Sequence, residues 1–279
     1  MNVRRFSQIA QARRGGLSRL LAVSIFLLAS LQSLSARTYK EIPELAKVFS
    51  DNDVAGTFVL FDAATDTMSV SDAMRAKKRF TPASTFKIAN SLIGLDVGAV
   101  KSVDEILPYG GKPQRLKEWE RDMGLRDAIK VSNVPVYQEL ARRIGIERMR
   151  EGVKKLGYGN TEIGSMVDRF WLDGPLAISA VEQTEFLDRL IKGSLPLRPD
   201  ALRAVKEITL LEKTDTYELH AKTGWWVGPT APQIGWWVGW IERDNKVYPF
   251  ALNIDMLKDE DASKRIPLGR ECLKALGKL

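Results

Sequence analysis

Hydrophobic positions change their period three times along the chain. In GTFVLFDAATDTMSVSD (56–72), β-rich residues alternate on either side of Ala63–Asp66, which predicts two strands and a turn. From about Ser84 to residue 210, apolar residues recur every three or four positions. VPVYQELARRIGIERMREGVKKLG (134–157) and ISAVEQTEFLDRLIKG (178–193) are the strongest cases, and each closes on a glycine, as helices do. The charged REGVKK portion reads as a solvated helix face. Past residue 210 the period returns to two in TYELHAKTGWW, IGWWVGWIER and KVYPFALNID. These predict three strands, with GPTAPQ and RDN as antiparallel hairpin connections. Pro249 cannot donate to a ladder and so predicts an edge or a bulge nearby. A last amphipathic helix is expected from about Pro267 to Leu276.

That order of strands, helices, strands and helix predicts an α+β fold. Residues of about 50–75 and 215–256 share one antiparallel sheet flanked by helices, and about 84–210 form a helical insertion. The repeated GWWVG at 224–228 and 235–239 recurs only once and reads as two neighbouring strands of similar composition. Its tryptophans are assigned to packing ahead of a pocket rim.

The first thirty-six residues follow none of these periods. Arg4, Arg5, Arg13, Arg14 and Arg19 precede LLAVSIFLLASL, an apolar run shorter than a bilayer span, and Ser33, Ser35 and Ala36 offer a cleavage site. This predicts a secretory signal peptide over 1–36, a single domain over 37–279, a periplasmic address and no stable membrane anchor after processing. The two Arg-Arg pairs also admit twin-arginine export. The chain has 42 basic and 35 acidic residues, but most of that excess lies in the export segment. The remainder is close to neutral, which argues against a nucleic-acid partner. Cys272 is the only cysteine, so no internal disulfide is possible, although it could cross-link two chains. One cysteine and one histidine cannot supply the usual zinc ligands, and no metal is expected.

The segment TPASTFKIAN (81–90) places Ser84 and Lys87 one helical turn apart among apolar neighbours. A serine hydroxyl needs a base to become a nucleophile. His220, the only histidine, sits in an ordinary strand alternation and no GxSxG elbow accompanies Ser84, which disfavours a Ser-His-Asp triad. Lysine can serve instead once desolvation has stripped its proton, because burial penalises the ammonium most. A helix N-terminus beside the serine suits a developing oxyanion. S-x-x-K alone is common by chance. KTG at 222–224 adds a fixed cation, a hydroxyl and, at Gly224, room for a substrate backbone, whereas Lys213-Thr214-Asp215 lacks the glycine. Between the two lies SNV (132–134), which supplies a second hydroxyl at Ser132.

Together these motifs resemble the penicillin-recognising serine enzymes, and the details resemble class D β-lactamases, the oxacillinases. PASTFKI (82–88), SNV, YGN (158–160), FWLDGPLAIS (170–179), AKTGW and GWWVGW follow that family's order and spacing from about residue 45 onward. The resemblance implies a three-layer αβα, β-lactamase/transpeptidase-like fold and an exported enzyme that opens β-lactam antibiotics and confers resistance. It implies Ser84 as nucleophile and Lys87 as general base after carboxylation by carbon dioxide, with no other cofactor. It also implies Trp171 donating to that carbamate, Val134 keeping the lysine pocket dry, and Ser132 relaying a proton to the lactam nitrogen. Lys222, Thr223 and Arg270 are implied to recognise the substrate carboxylate, with Arg265 and Lys264 close enough that a shifted register substitutes one of them. The N–H groups of Ser84 and Trp225 are the implied oxyanion hole, and Leu172 helps shape the pocket. Tyr158 and Asn160 suit turn and pocket-wall positions as well as any chemical part. The third residue of the serine box is Val134 rather than asparagine, and no glutamate motif for a water-activating base is found, which separates the chain from class A. Partners are small β-lactams, and the assembly is a monomer or homodimer. The alternative is a penicillin-sensing receptor domain that acylates without turnover; a cell-wall transpeptidase or carboxypeptidase ranks below both.

Overall fold

The computed structural model describes residues 37–229 and 232–279. The predicted export segment and its cleavage site lie outside the described residues. Among the described residues the sheet has seven strands: β1 (Thr38–Glu41), β2 (Gly56–Asp62), β3 (Thr67–Val70), β4 (Leu210–Lys213), β5 (Glu218–Trp226), β6 (Gln233–Arg243) and β7 (Lys246–Met256). Their order across the sheet is β1-β3-β2-β7-β6-β5-β4. The first and last parts of the chain therefore meet where β2 pairs with β7, as the pattern predicted.

The sheet departs from the expected one in strand direction and in extent. The sheet is mixed, because β1 pairs with β3 in parallel. The short strands β1 and β4 extend it beyond the predicted limits, their few residues carrying too little alternation to be read. Pro249 lies opposite Trp240 of β6, and on its other side the ladder with β2 ends one residue away at Phe250, which leaves the expected free edge beside the proline. The β6–β7 connection is a two-residue turn in which Asp244 and Asn245 both take positive φ (52° and 58°), as a tight hairpin requires.

The segment predicted as one helix over 134–157 is two, α5 (Val134–Ile144) and α6 (Ile146–Leu156). Gly145 between them has φ 80°, a conformation that glycine adopts without a Cβ penalty. Preceding them are α1 (Pro43–Asp51), α2 (Ala73–Lys77), α3 (Lys87–Asp96) and α4 (Leu125–Lys130). After them come α7 (Ala180–Ile191), α8 (Pro199–Ile208) and α9 (Arg265–Ala275). Ser179 starts α7 with a capping box, its hydroxyl accepting from the Glu182 N–H while the Glu182 carboxylate accepts from the Ser179 N–H. The central third is less helical than its periodicity suggested, since residues 97–124 and 157–179 are largely irregular.

Alternation on β5 and β6 sorts side chains into two cores, which defines three layers. Trp236, Val238 and Trp240 face the helical core with Phe86, Tyr137 and Trp171. Trp237 and Ile241 face a second core with Leu45 of α1 and Leu268 and Cys272 of α9. Trp236, Trp237 and Trp240 are thus core residues, while Trp225 and Trp226 remain half-buried at the strand end. Cys272 is fully buried, which removes it as a ready cross-link between chains.

Candidate active site

The chain enters the site through Pro82 and a 3₁₀ turn, Ala83–Phe86, that runs directly into α3. Ala83 takes φ 48°, a left-handed backbone that costs a non-glycine residue about 1–3 kcal/mol and persists only where the surroundings enforce it. Here the Trp236 indole donates to the Thr81 carbonyl at 3.0 Å. The Thr85 hydroxyl donates to the Pro82 carbonyl at 2.8 Å and accepts from Gln183 of α7 at 2.8 Å. A Cβ on Gly224 of β5 would lie 2.9 Å from the Pro82 carbonyl, so the KTG strand packs straight onto the serine turn.

Within that frame the Lys87 Nζ lies 2.7 Å from the Ser84 Oγ. Lys87 has no exposed surface. Burial, and secondarily the Lys222 ammonium, hold its amine well below lysine's ordinary 10.5. Lys222 is itself buried and pushed down to about 7, first by burial and then by the Arg265 cation. Two lysines and an arginine therefore share one weakly solvated cleft.

The Lys87 pocket is aromatic. Its Nζ is 5.4 Å from the centre of the Tyr137 ring, and the Tyr137 hydroxyl is satisfied by Ser91 at 2.9 Å. Trp171 comes from the irregular 157–179 segment and stacks on Phe86 with ring centres 5.5 Å apart. Its indole Nε1 is buried and has no hydrogen-bond partner. An orphaned buried donor is costly, on the order of 1–3 kcal/mol, and so calls for an acceptor. Val134 and Leu172 are both half-buried, and Leu172 packs against the helical core.

Ser132 sits on the turn before α5 with φ 56°, another strained non-glycine position. Ile129 and Lys130, just before it, line a cavity of about 200 Å³ together with Lys222 and Thr223, which places the serine-box turn across from the KTG strand. The turn is fixed by a residue that sequence reading passed over. Asn133 is fully buried, accepts from the Val136 N–H at 3.0 Å and donates to the Trp119 carbonyl at 3.1 Å. An asparagine directly before Val-Pro at a helix start was its legible sign.

Arg270 is placed elsewhere. It donates to Glu212 of β4 at 2.8 Å and to the Tyr217 hydroxyl at 3.3 Å, tying α9 to the sheet edge. Arg265, five residues earlier, reaches the site: its Nη1 donates to the Gly224 carbonyl at 2.6 Å and its guanidinium is 5.9 Å from the Trp225 ring. Helical spacing explains the difference, since five positions turn a side chain by more than a full revolution to another face. Lys264 is engaged with Asp261 at 3.0 Å. Tyr158 and Asn160 take scaffold positions. The Tyr158 hydroxyl donates to Gln183 at 3.3 Å, and the Asn160 side chain bridges the Pro175 carbonyl and the Ala177 N–H. His220 is stacked on Trp240, with Nδ1 3.0 Å from the Lys206 carbonyl, and is partnered as a core residue rather than as a base for Ser84. Among the described residues no group of three or more His, Cys, Asp or Glu side chains is placed to hold a metal.

Residues 56–274 match the penicillin binding protein transpeptidase domain family. The β-lactamase OXA-10 of Pseudomonas aeruginosa is 42% identical over 224 residues, covering 80% of this chain and 83% of that protein. The β-lactamase OXA-48 of Klebsiella pneumoniae is 40% identical over 259 residues, covering 92% of this chain and 97% of the relative. The crystal structure of FUS-1 (OXA-85), a class D β-lactamase from Fusobacterium nucleatum subsp. polymorphum, superposes with a TM-score of 0.83 at 46% identity, over 86% of this chain and all of that one. The chain belongs to the class D serine β-lactamases. Around Ser84 the geometry brings a hydroxyl into contact with an amine whose proton affinity burial lowers.

The buried amine has a stability signature. Between 10.5 and its depressed folded value, the folded chain binds fewer protons at Lys87 than the unfolded chain, so stability is lost as pH falls through that window. Lys87→Met, an apolar replacement of similar length, is expected to be inactive yet to unfold at a higher temperature than wild type at pH 7 in carbon dioxide-free buffer. The margin should shrink as the pH is raised toward 10.5. Thermal denaturation at several pH values checks this, and equal midpoints throughout would contradict it.

Proposed function

We propose that this chain is an exported class D β-lactamase that opens β-lactam antibiotics through a covalent acyl-enzyme on Ser84 and then hydrolyses it, conferring resistance. The observation that carries the reading is the desolvated Lys87 amine 2.7 Å from the Ser84 hydroxyl, together with the unpartnered Trp171 indole stacked on Phe86, the residue before Lys87. A neutral amine captures carbon dioxide, whereas an ammonium does not. The resulting carbamate is an anion with acceptor oxygens, which suits a buried N–H in want of one. Once carboxylated, Lys87 supplies a base for both acylation and deacylation.

The remaining residues bind and orient. The backbone N–H groups of Ser84 and Trp225 receive the lactam oxygen, and Ser132 passes a proton to the leaving nitrogen. Lys222, Thr223 and Arg265 hold the substrate carboxylate. Arg265 takes that part in place of Arg270, which is occupied by Glu212. Val134 and Leu172 limit water at the lysine, and Gly224 admits the substrate against β5. Residues 1–36 direct export to the periplasm. A sensor that acylates without turnover is the lesser reading, since OXA-10, OXA-48 and FUS-1 are each named as β-lactamases.

Incubating the purified mature chain with a chromogenic cephalosporin should give many turnovers per protein, while a single stoichiometric burst would select the sensor. Activity should fall when bicarbonate is removed and recover when it is restored, and Trp171→Phe should raise the half-saturating bicarbonate concentration by about tenfold or more, the loss of one charge-assisted hydrogen bond. Indifference to bicarbonate in both proteins would remove the carbamate from the mechanism.

The two arginines separate cleanly by kinetics. Arg265→Ala should raise KM for penicillins by about tenfold or more, as expected for losing a charge-assisted contact to a carboxylate. Arg270→Ala should leave KM within about twofold and instead lower thermal stability slightly, since its ion pair is half-exposed. Equal effects on KM would contradict the assignment.

A further inference from the structure

Ser132 is bracketed by one tryptophan. The Trp119 indole Nε1 donates to the Val131 carbonyl at 2.9 Å, and the Trp119 carbonyl accepts from the Asn133 side chain at 3.1 Å. The residues on both sides of the serine are thus tied to Trp119, which stands on a short 3₁₀ turn, Lys117–Trp119, in the irregular stretch before α4. Asn133 is fully buried and uses both ends of its carboxamide, since its oxygen accepts the Val136 N–H that opens α5. The backbone adds the Ser132 N–H donating to Ile129 at 3.3 Å and the Asn133 N–H donating to Ala128 at 2.8 Å. Between these ties Ser132 keeps its left-handed φ of 56°. Strain of that kind and a pair of hydrogen bonds are comparable in energy, so losing one tie lets the turn relax.

In the mechanism above, what depends on this turn is a proton. As the lactam C–N bond breaks, its electron pair stays on nitrogen. Ser132 gives that nitrogen its hydroxyl proton and takes back the one that the Lys87 base removed from Ser84. Hydrolysis of the acyl-enzyme breaks a different bond, between the acyl carbon and the Ser84 Oγ, and the lactam nitrogen has no part in it. A displaced Ser132 hydroxyl therefore slows acylation and spares deacylation. The need for the proton is greatest with a penicillin, whose nitrogen leaves as a basic amine, and smaller with a cephalosporin, whose nitrogen leaves conjugated to a double bond.

We infer that Trp119 and Asn133 are positioning residues for Ser132 that act on the acylation step alone. The inference rests on the hydrolase reading above. Trp119→Phe keeps a ring and removes the indole donor, and Asn133→Ser keeps a helix-capping oxygen and removes the donor to Trp119. Stopped-flow mixing of the mature chain with benzylpenicillin and with a chromogenic cephalosporin gives the acylation and deacylation rate constants separately. The burst amplitude counts folded sites, so partial unfolding does not enter those constants. In both variants acylation by benzylpenicillin should slow about tenfold or more, as for a misplaced reacting group, with deacylation within about twofold of wild type and a smaller loss in acylation by the cephalosporin. Equal losses in the two steps, equal losses for the two substrates, or benzylpenicillin acylation at the wild-type rate, in either variant, overturns the inference. Failure of the wild-type chain to be acylated by either substrate overturns the hydrolase reading instead, so the two failures are distinguishable.

Discussion

An amine kept from water beside a hydroxyl is the constraint around which this molecule is arranged. The shift of Lys222 from 10.5 to about 7 alone corresponds to roughly 5 kcal/mol, at about 1.4 kcal/mol per unit. Lys87 is buried more completely still. Such costs are large against a domain stability of about 5–15 kcal/mol, so neither lysine is retained for stability. What the burial yields is an amine within hydrogen-bond reach of Ser84 that gives up its proton more readily than an ordinary lysine.

The surrounding fold enforces that placement. Ala83 and Ser132 both take left-handed backbone conformations, one at each side of the cleft. They are held by other parts of the chain: Trp236 of β6 and Gln183 of α7 on the serine turn, and Trp119, through Asn133, on the serine box. Close approach of β5 to the serine turn depends on Gly224. The sheet therefore acts as a platform that meets two strained turns, and Phe86, Tyr137 and Trp171 are buried with Lys87 in the helical core.

Much of this was legible in sequence because it rests on local periodicity and fixed spacing. Ser84 and Lys87 are one turn apart in any helical geometry, and Lys222 and Gly224 share a strand face in any β-strand. The union of the first and last stretches in one sheet followed from the order of periods. Features set by few residues or by long-range packing were harder to read. The strands β1 and β4 are too short to show alternation, and the break at Gly145 is hidden by apolar spacing that continues across it. Arg265 and Arg270 both lie on α9, and only the docking of that helix decides which guanidinium reaches Gly224. The orphaned indole of Trp171 is likewise a property of packing, although the family motif had marked the residue.

The most direct test of the central claim is the protonation state of Lys87 itself. With ¹⁵N-labelled lysine in carbon dioxide-free buffer, the Nζ resonance that disappears in Lys87→Arg should be that of a neutral amine at pH 7 and should titrate well below 10.5. An Nζ that remains an ammonium at pH 7 and titrates near 10.5 would contradict the account.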